Sequence, residues 1–362
     1  MTPACDVPLA EHCTLMVGGP ARYFWRAGSD ASLIEALQWA GNHDVGVHIL
    51  GGGSNVVFAD EGFDGLVIQV NIRGVAFTPG EGGVTHLAAG AGEPWDPIVA
   101  ESVDRGFAGL ECLSGIPGLV GGTPVQNVGA YGQDVSATIA HVAVVDRHSL
   151  ERLSLSNGAC RFGYRTSRFK REDREQFVVT GVEFVLAPGA PTLTYADVAA
   201  HFETRGERAP SLADVRQAVL GIRRQKGMVI EATAPAIRSV GSFFVNPVVS
   251  RTQFVRLARV HPQMPHYPAG ADAVKIPAAW LIERAGFPKG TRRGPVGISS
   301  QQAQALLNLG GATAMDVVQL AADIKRAVRN AFGISIVPEP VFVGFGASLA
   351  FEELFETDSS GE

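Results

Sequence analysis

The alternation of apolar and polar residues over positions 16–72 predicts a small unit of strands and helices. One stretch has helical spacing, since Leu33, Leu37 and Ala40 fall on one face, and Ser32 with Glu35 fits a capping box. Four apolar stretches around this helix read as strands: RYFWRA, VGVHIL, VVFA and GLVIQV. We therefore predict a first division of the chain at residues 1–72.

The pattern changes over residues 73–210, where strands and loops dominate. A helix is predicted to begin at Asp96 and Pro97, because proline fits the first turn of a helix, and to end near Gly106. Two long apolar runs read as strands, HVAVVD and QFVVTGVEFVL. A candidate linker or excursion then closes this second division with the sequence APGAPTLTYADVAAHFETRGERAP.

Residues 211–362 read as a third division, rich in helices. Ser211 and Asp214 cap one helix, and a long helix from Thr313 to about Phe332 stops at Gly333. Two shorter helices are predicted at AAWLIERAG and SSQQAQALLNL, and a terminal strand at SIVPEPVFVGF. The acidic tail EELFETDSSGE is expected to be frayed.

The composition is that of a folded protein: of 362 residues, 46% are hydrophobic and 18% are charged. The net charge of −6 argues against non-specific binding to nucleic acid, which usually requires a basic face. The four cysteines are scattered without a C-x-x-C pair, so we expect reduced thiols, no disulfide framework and no metal site. The sequence shows no signal-peptide pattern and no run of about 18 apolar residues, which predicts a cytoplasmic protein without membrane insertion.

Three consecutive glycines, Gly51, Gly52 and Gly53, follow an apolar strand and precede Ser54 and Asn55. Glycines let the chain turn sharply and let a pyrophosphate approach backbone N–H groups. A Rossmann site would need a helix directly after the glycines, whereas a strand is predicted here, and no Gly-Lys-Ser/Thr marks a Walker A loop. The segment is either a ligand-binding turn or a plain glycine turn between two strands.

A second glycine-rich stretch, residues 115–132, is too apolar for a solvated linker and too rich in glycine for a regular element. It suits a buried loop around a flat or phosphorylated ligand, or an omega-type loop that packs on itself. Two such segments in one chain favour the ligand. The stretch contains Gly115, Gly118, Gly121, Gly122, Gly129 and Gly132, with Thr123, Gln126, Asn127 and Tyr131 between them.

Three further segments carry side chains suited to chemistry. Tyr164 and Arg165 lie in the basic stretch CRFGYRTSRFK, where an arginine fork either holds a carboxylate or phosphate or simply faces water. Ser242 follows a glycine in GSFFVNPVV outside any G-x-S-x-G elbow, so a hydrolase nucleophile is not indicated. Glu339 lies between two prolines in an apolar strand, and is either an edge residue in water or a paired carboxylate in a site.

Taken in order, these five segments resemble the UDP-N-acetylenolpyruvoylglucosamine reductase family. The resemblance runs from about Leu9 to Gly344 and comprises GGGSN, GIPGLVGGTPVQNVGAYG, FGYR, GSFFVNP and PEP. Each motif alone is a weak signal, whereas five of them in this order form a strong one.

The resemblance implies an α+β fold: a two-subdomain FAD-binding module of the vanillyl-alcohol-oxidase (PCMH) type and a C-terminal α/β substrate domain. The first subdomain would be residues 1–72, the second 73–210 with a substrate lid near 190–208, and the substrate domain 211–362. The family also implies non-covalent FAD, NADPH as co-substrate, a UDP-linked enolpyruvyl amino sugar as substrate and a place in peptidoglycan synthesis. We expect a monomer that binds neither metal nor nucleic acid.

By the same resemblance, Arg165 binds the substrate carboxylate, Glu339 hydrogen-bonds to it and Ser242 donates a proton. The residues expected at the UDP-sugar are Tyr164, Tyr195, Lys226, Asn246 and Arg284. The residues expected to hold FAD are Gly51, Gly52, Gly53, Ser54, Asn55, Ile116, Pro117, Gly118, Gly121, Gly122, Thr123, Gln126, Asn127, Gly129, Ala130 and Tyr131.

The chain departs from the family pattern in EHCTLMVGGPARYF, which has cysteine and methionine in place of the usual asparagine-threonine-phenylalanine patch. Arg284 also stands where some members have glutamine. Two other classes of function stay open from the residues alone. One is a sugar or lactone oxidase on the same scaffold, which need not have Arg165, Ser242 and Glu339 together. The other is a non-catalytic nucleotide-binding or regulatory protein.

Overall fold

The computed structural model describes residues 2–206, 209–228 and 238–356. The chain divides into two compact units. Unit 1 comprises Met1–Val7, Ala21–Gly53 and Asp64–Ala232, and unit 2 comprises Pro8–Pro20, Ser54–Phe63 and Thr233–Glu362. Both boundaries predicted from the sequence, at 72/73 and 210/211, lie within unit 1, and the three-domain division stays a prediction.

The described residues contain helices and strands throughout, which confirms the predicted α+β class. The helices are α1 Asp30–Asn42, α2 Trp95–Asp104, α3 Ala196–Glu203, α4 Leu212–Gln225, α5 Arg251–Val260, α6 Ala278–Arg284, α7 Ala314–Phe332 and α8 Leu349–Phe355. The strands are β1 Ala4–Pro8, β2 Pro20–Ala27, β3 Val47–Leu50, β4 Val56–Phe58, β5 Phe63–Val70, β6 Val75–Pro79, β7 Thr85–Gly90, β8 Phe107–Ala108, β9 Gly129–Ala130, β10 Gln133–Asp134, β11 Ile139–Asp146, β12 Arg152–Ser156, β13 Phe177–Pro188, β14 Val248–Ser250, β15 Tyr267–Pro268, β16 Ala273–Lys275, β17 Arg292–Arg293, β18 Val296–Ile298, β19 Leu306–Asn308 and β20 Val341–Val343.

The first sheet of unit 1 has the strand order β1-β2-β5-β3, with β3 and β5 parallel. Helix α1 buries Leu33, Leu37 and Ala40 in the unit's hydrophobic core, which confirms the predicted face. The predicted capping box is wrong, because the Oγ of Ser29 accepts from the backbone N–H of Ser32 and so caps the helix three residues earlier. The Ser32 hydroxyl instead accepts from the Trp25 indole N–H at 3.1 Å.

The second sheet of unit 1 is antiparallel, in the order β12-β11-β13-β7-β6, with β8 paired to β13. Over Thr180–Leu186 its central strand β13 alternates buried and half-buried residues, as expected for a strand with one face in the core. Helix α2 follows β7, and its Trp95, Ile98 and Val99 are buried. This packing fixes the backbone between β7 and α2, to which the glycine-rich loop is hydrogen-bonded.

Unit 2 is organised around α7, whose sequence specifies both of its ends. Thr313 and Asp316 form a reciprocal capping box, and Gly333 ends the helix in the left-handed region at φ 61°. The apolar stripe of α7 lies in the core of unit 2. Three small sheets accompany it: β14-β16-β15, β17-β18-β19 and the parallel pair β20-β4.

In unit 2 one sequence prediction is wrong, and a second is wrong for the first residues of its segment. The stretch SSQQAQALLNL forms turns followed by strand β19, because its residues pair with β18 and Gln304 is drawn into a buried network. The predicted frayed tail begins inside helix α8, which the hydroxyl of Ser348 caps by accepting from the Phe351 backbone N–H. Residues 357–362 of that tail lie outside the described residues.

All four cysteines are free thiols, Cys5 exposed and Cys13, Cys112 and Cys160 buried. Within the described ranges, no group of three or more histidine, cysteine, aspartate or glutamate side chains is arranged to hold a metal ion. No helix in the same ranges is long and apolar enough to cross a membrane.

Candidate active site

In unit 1, the triple-glycine turn contacts the glycine-rich loop. Strand β3 ends at the buried Leu50, and the turn follows, with Gly53 in the left-handed region at φ 66°. A Cβ added at Gly52 would come within 3.2 Å of the Leu119 Cγ, whereas one at Gly51 would meet no heavy atom within 4 Å. The structure therefore brings together two segments predicted to bind FAD and leaves open space in front of the turn.

The loop of residues 115–132 is held by backbone hydrogen bonds to the segment that joins β7 to α2. The N–H of Gly121 donates to the Ala91 carbonyl at 2.9 Å, and the N–H of Val120 donates to the Glu93 carbonyl at 2.8 Å. A Cβ at Gly121 would lie 2.6 Å from that of Ala91, so only glycine fits there. A Cβ at Gly122 would meet no heavy atom within 4 Å, so the loop is anchored on one side and open on the other.

Asn127 connects this loop to the Tyr164–Arg165 turn. Its Nδ2 donates to the Gly163 carbonyl at 3.1 Å, and its Oδ1 accepts from the Ser136 N–H at 3.1 Å. Asn127 is 6% exposed and has a left-handed backbone at φ 45°. Arg165 at the tip of the turn is also left-handed, at φ 53°, and its guanidinium carbon lies 5.9 Å from the centre of the Tyr164 ring. The turn thus presents a half-buried cation in a fixed backbone geometry.

Tyr131, Tyr195 and Lys226 form a second cluster in unit 1. The two tyrosine rings meet edge to face at 5.3 Å, and the Lys226 Nζ lies 5.7 Å from the Tyr131 ring centre. Lys226 also donates to the Oδ2 of Asp197 at 2.7 Å. Burial opposes the charge on Lys226 most strongly, but the Asp197 hydrogen bond and the nearby tyrosines outweigh it and raise its pKa. Burial raises the pKa of Tyr131.

Three charged residues behind the glycine-rich loop were not predicted from the sequence. Asp96 accepts from the Gly115 N–H at 2.6 Å and from the Arg216 fork at 2.7 and 2.8 Å. Arg223, 8% exposed, donates to the Gly115 carbonyl at 3.3 Å. Burial is the main reason why the pKa of Arg223 is lowered, and the nearby Arg165 charge adds to the effect. The two arginines lie seven residues apart on an otherwise apolar face of α4, which is the sequence signal that could have revealed them.

In unit 2, backbone pairing places Ser242 and Glu339 on neighbouring segments. The Glu339 N–H donates to the Phe243 carbonyl at 2.8 Å, so Ser242 directly precedes the residue that pairs with Glu339. Phe243 is fully buried, whereas Ser242 and Glu339 are half-buried. Asn55 belongs to the same arrangement, because its Nδ2 donates to the Glu339 carbonyl at 3.4 Å. Two of the three predicted catalytic residues are therefore brought together.

Asn246 is held by a side chain that the sequence did not single out. The Oδ1 of Asn246 accepts from the Gln304 Nε2 at 3.1 Å and from the Ala278 N–H at the start of α6 at 2.9 Å. Gln304 also donates to the Phe244 carbonyl at 2.9 Å. The segment that carries Ser242 and Asn246 is thus fixed on both sides.

Arg284 lies elsewhere in unit 2. It is the last residue of α6, and its guanidinium carbon lies 5.9 Å from the centre of the Trp280 ring. With Trp280, His261 and Phe332 it lines a cavity of about 410 Å³, whose lining includes neither Ser242, Asn246 nor Glu339. The structure does not place Arg284 beside the other predicted residues of this unit.

Comparison with protein families assigns a class to two segments of the chain. Residues 21–149 match the family described as an FAD binding domain. Residues 233–343 match the family described as UDP-N-acetylenolpyruvoylglucosamine reductase, C-terminal domain. The chain is therefore a flavoprotein oxidoreductase that uses FAD.

Relatives are similar over nearly the whole chain. UDP-N-acetylenolpyruvoylglucosamine reductase of Thermobifida fusca is 46% identical over 351 residues, which cover 94% of this chain and 98% of the relative. The enzyme of the same name from Streptomyces coelicolor is 44% identical, covering 94% and 90%. The protein described here belongs to the UDP-N-acetylenolpyruvoylglucosamine reductase family.

A solved structure supports the fold. The crystal structure of UDP-N-acetylenolpyruvylglucosamine reductase from Thermus caldophilus matches with a TM-score of 0.62 at 23% identity. The match covers 94% of this chain and 98% of that structure. The resemblance predicted from the five motifs is thus confirmed at the level of family and fold.

Proposed function

We propose that this protein reduces UDP-N-acetylenolpyruvoylglucosamine to UDP-N-acetylmuramate with electrons from NADPH, as a step in the synthesis of peptidoglycan precursors. The observation that carries the proposal is the Glu339 N–H to Phe243 carbonyl bond of 2.8 Å, because it sets a carboxyl group and the Ser242 hydroxyl on neighbouring segments. The names of relatives that cover 94% of the chain support the choice of substrate.

The residues of unit 1 fit a bound dinucleotide. The turn at Gly51 and the loop at Gly122 both face open space, and Leu119 joins them into one backbone surface. Such a surface suits a pyrophosphate, which is held by backbone N–H groups, and a flat ring, which needs close approach of the chain. The residues proposed to hold FAD without a covalent bond are those of 51–55 and 116–131 named from the sequence. Bound FAD supplies the hydride that reduces the enolpyruvyl double bond.

The three proposed catalytic residues bind the substrate carboxylate and supply the proton. Arg165 binds the substrate carboxylate through its guanidinium fork, and Glu339 donates a hydrogen bond to the same group when protonated. Both stabilise the negative charge that develops toward the carboxylate as an enolate. The Ser242 hydroxyl donates a proton to the neighbouring carbon, which completes the reduction. A serine is a weak acid, so this step requires a strongly basic intermediate and close positioning.

The remaining predicted residues are proposed to bind the UDP-sugar. Lys226 and Tyr195 carry groups suited to a diphosphate and its nucleoside, and Tyr164 lies beside Arg165. Asn246 and Arg284 are proposed with them, Arg284 from the resemblance alone. We further propose a monomer that acts in the cytoplasm without nucleic acid, which light scattering and a nucleic-acid binding assay can check.

The Ser242→Ala variant tests this function directly. We expect NADPH to reduce the flavin of this variant at the normal rate, while the reoxidation of reduced enzyme by the enolpyruvyl sugar falls by about two to four orders of magnitude. Stopped-flow absorbance under anaerobic conditions separates the two half-reactions. Ser250→Ala is the matched control, since Ser250 caps α5 at an exposed position of the same unit. Normal reoxidation in Ser242→Ala would refute the proton-donor role.

A further inference from the structure

A buried ammonium group holds the C-terminal helix of unit 2. Lys325 on α7 is 2% exposed, and its Nζ donates to the carbonyls of Leu354 at 2.9 Å and Glu356 at 2.5 Å. The last carbonyls of a helix have no partner within the helix and carry a partial negative charge. Because a buried charge must be compensated, the position of Lys325 depends on α8 and the position of α8 depends on Lys325.

Helix α8 carries phenylalanine rings that pack on strand β20. The Phe342 ring of β20 lies 5.1 Å from that of Phe355 and 5.9 Å from that of Phe351. Phe351 in turn stacks on Phe345 at 4.9 Å with nearly parallel planes. Aromatic pairs in this distance range stabilise a structure beyond the effect of their buried area. The cluster therefore fixes β20 from the side of α8.

Strand β20 continues directly from Glu339. The Val341 N–H donates to the Asn55 carbonyl at 3.0 Å, and β20 then runs parallel to β4 from Val56 onward. Asn55 donates back to the Glu339 carbonyl, and the Glu339 N–H pairs with Phe243 next to Ser242. A displacement of β20 would therefore move the backbone of Glu339 relative to Ser242.

We propose that Lys325 is a positioning residue for the reduction, which acts through α8 and the Phe342 cluster to hold Glu339 in register with Ser242. The proposal rests on the proposed function, since it assigns a purpose to the placement of Glu339. Two other pairs, Arg326 with Glu353 and Arg329 with Glu356, also join α7 to α8. Their arginine side chains are 43% and 35% exposed, so solvent screens each pair and it holds the helix more weakly than the buried Lys325 does.

A double-mutant cycle between Lys325 and Glu339 tests the proposal in the holoenzyme. Lys325→Met should slow the reoxidation half-reaction about tenfold or more while flavin reduction by NADPH changes less than about twofold. In the Glu339→Gln background, the same substitution should change reoxidation by less than about twofold, because the group that Lys325 positions is already lost. The positioning role would be overturned if the double variant lost reoxidation rate by the full product of the two single-variant losses. A normal reoxidation rate in Lys325→Met would overturn it as well.

Two further variants serve as a control and as a second test of the same contact. Arg326→Met is the matched control, because Arg326 is adjacent to Lys325 on α7, also contacts α8 and has a side chain that is 43% exposed; we expect both half-reactions to stay within about twofold of the wild type. Phe355→Ala removes a ring that contacts Phe342 and leaves the ammonium in place. It should reproduce the selective loss of reoxidation if Lys325→Met does not fold, and a normal rate there would count against the proposal. A normal reoxidation rate in Glu339→Gln alone would instead refute the proposed function of Glu339.

Discussion

Three residues of the candidate site in unit 1 have a left-handed backbone although none is glycine. They are Asn127, Tyr131 and Arg165, with φ of 45°, 49° and 53°. Such residues cost about 1–3 kcal/mol each and persist only when the surroundings impose them. At Asn127 the constraint is visible, since its side chain is bonded to Gly163 and Ser136. These three residues therefore hold strained backbone within the segments proposed to bind the ligands.

Two substitutions of Asn127 separate its hydrogen bonds from its backbone strain. Asn127→Ala loses both bonds and keeps the strained conformation, and we expect a loss of about 3 kcal/mol of unfolding free energy. Asn127→Gly loses the same bonds without the strain, so it should be about 1 kcal/mol more stable than the alanine variant. Urea unfolding measures the difference. A glycine variant less stable than the alanine variant would show that φ at this position carries no strain.

At the scale of elements, helix α4 supports the glycine-rich loop from behind. Arg216 and Arg223 reach from this helix to Asp96 and to the Gly115 carbonyl, and Asp96 holds the Gly115 N–H. Although burial alone would raise the pKa of Asp96, the hydrogen bonds from Arg216 and Gly115 outweigh it and lower that pKa. The start of the loop is thus clamped by two charged groups that lie 120 residues apart in the chain.

Removing the Arg216 fork should destabilise the protein in a pH-dependent way. Arg216→Met is expected to lose about 2 kcal/mol of unfolding free energy at neutral pH. A carboxyl group with a depressed pKa in the folded state contributes stability above its unfolded pKa, about 4, and this contribution disappears as the pH falls through the folded value. The difference in unfolding free energy between the wild type and Arg216→Met should therefore be constant near neutral pH and become smaller below about pH 4.

The exposed pair of Arg22 with Asp64 provides the control for this measurement. Its side chains are 55% and 86% exposed, so Arg22→Met should leave the unfolding free energy unchanged within experimental error at every pH measured. The contrary result would be unfolding free energies of Arg216→Met and the wild type that differ by the same amount at every pH. That result would show that Arg216 does not stabilise the charged form of Asp96.

The sequence predicted those elements whose signals are local. The capping box predicted at Ser211 is present, the long helix begins directly after Thr313 as predicted, and Gly333 ends it as expected. The helix predicted at residues 299–309 failed because Gln304 bonds to Phe244 and Asn246, some 60 residues away. A residue pattern that suits a helix gives no information about such tertiary partners.

The candidate site was predictable in a similarly uneven way. Ser242, Glu339 and the glycine segments lie in motifs, so their order along the chain was sufficient to single them out. Asp96, Arg223 and Gln304 act through hydrogen bonds to distant backbone atoms, and no short motif contains both partners. The partner of Lys325 likewise lies on α8, 29 residues away, outside any local pattern of α7.

At the scale of the whole molecule, the residues proposed to bind and to react are divided between the two units. Unit 1 contains the glycine-rich backbone surface and Arg165, whereas unit 2 contains Ser242 and Glu339. The GGGSN motif passes from one unit to the other after Gly53. A protein with this division should bind its cofactor mainly through unit 1, while substitutions at Ser242 or Glu339 in unit 2 leave the flavin bound.

In the proposed reaction, electrons pass from NADPH through bound FAD to an enolpyruvyl UDP-sugar. The most direct measurement is the visible absorption of the purified protein during anaerobic titration, first with NADPH and then with UDP-N-acetylenolpyruvoylglucosamine. We predict a yellow protein whose flavin band is bleached by NADPH and restored by a stoichiometric amount of the sugar in the absence of oxygen. A colourless protein, or a band that returns only when oxygen is admitted, would contradict the account.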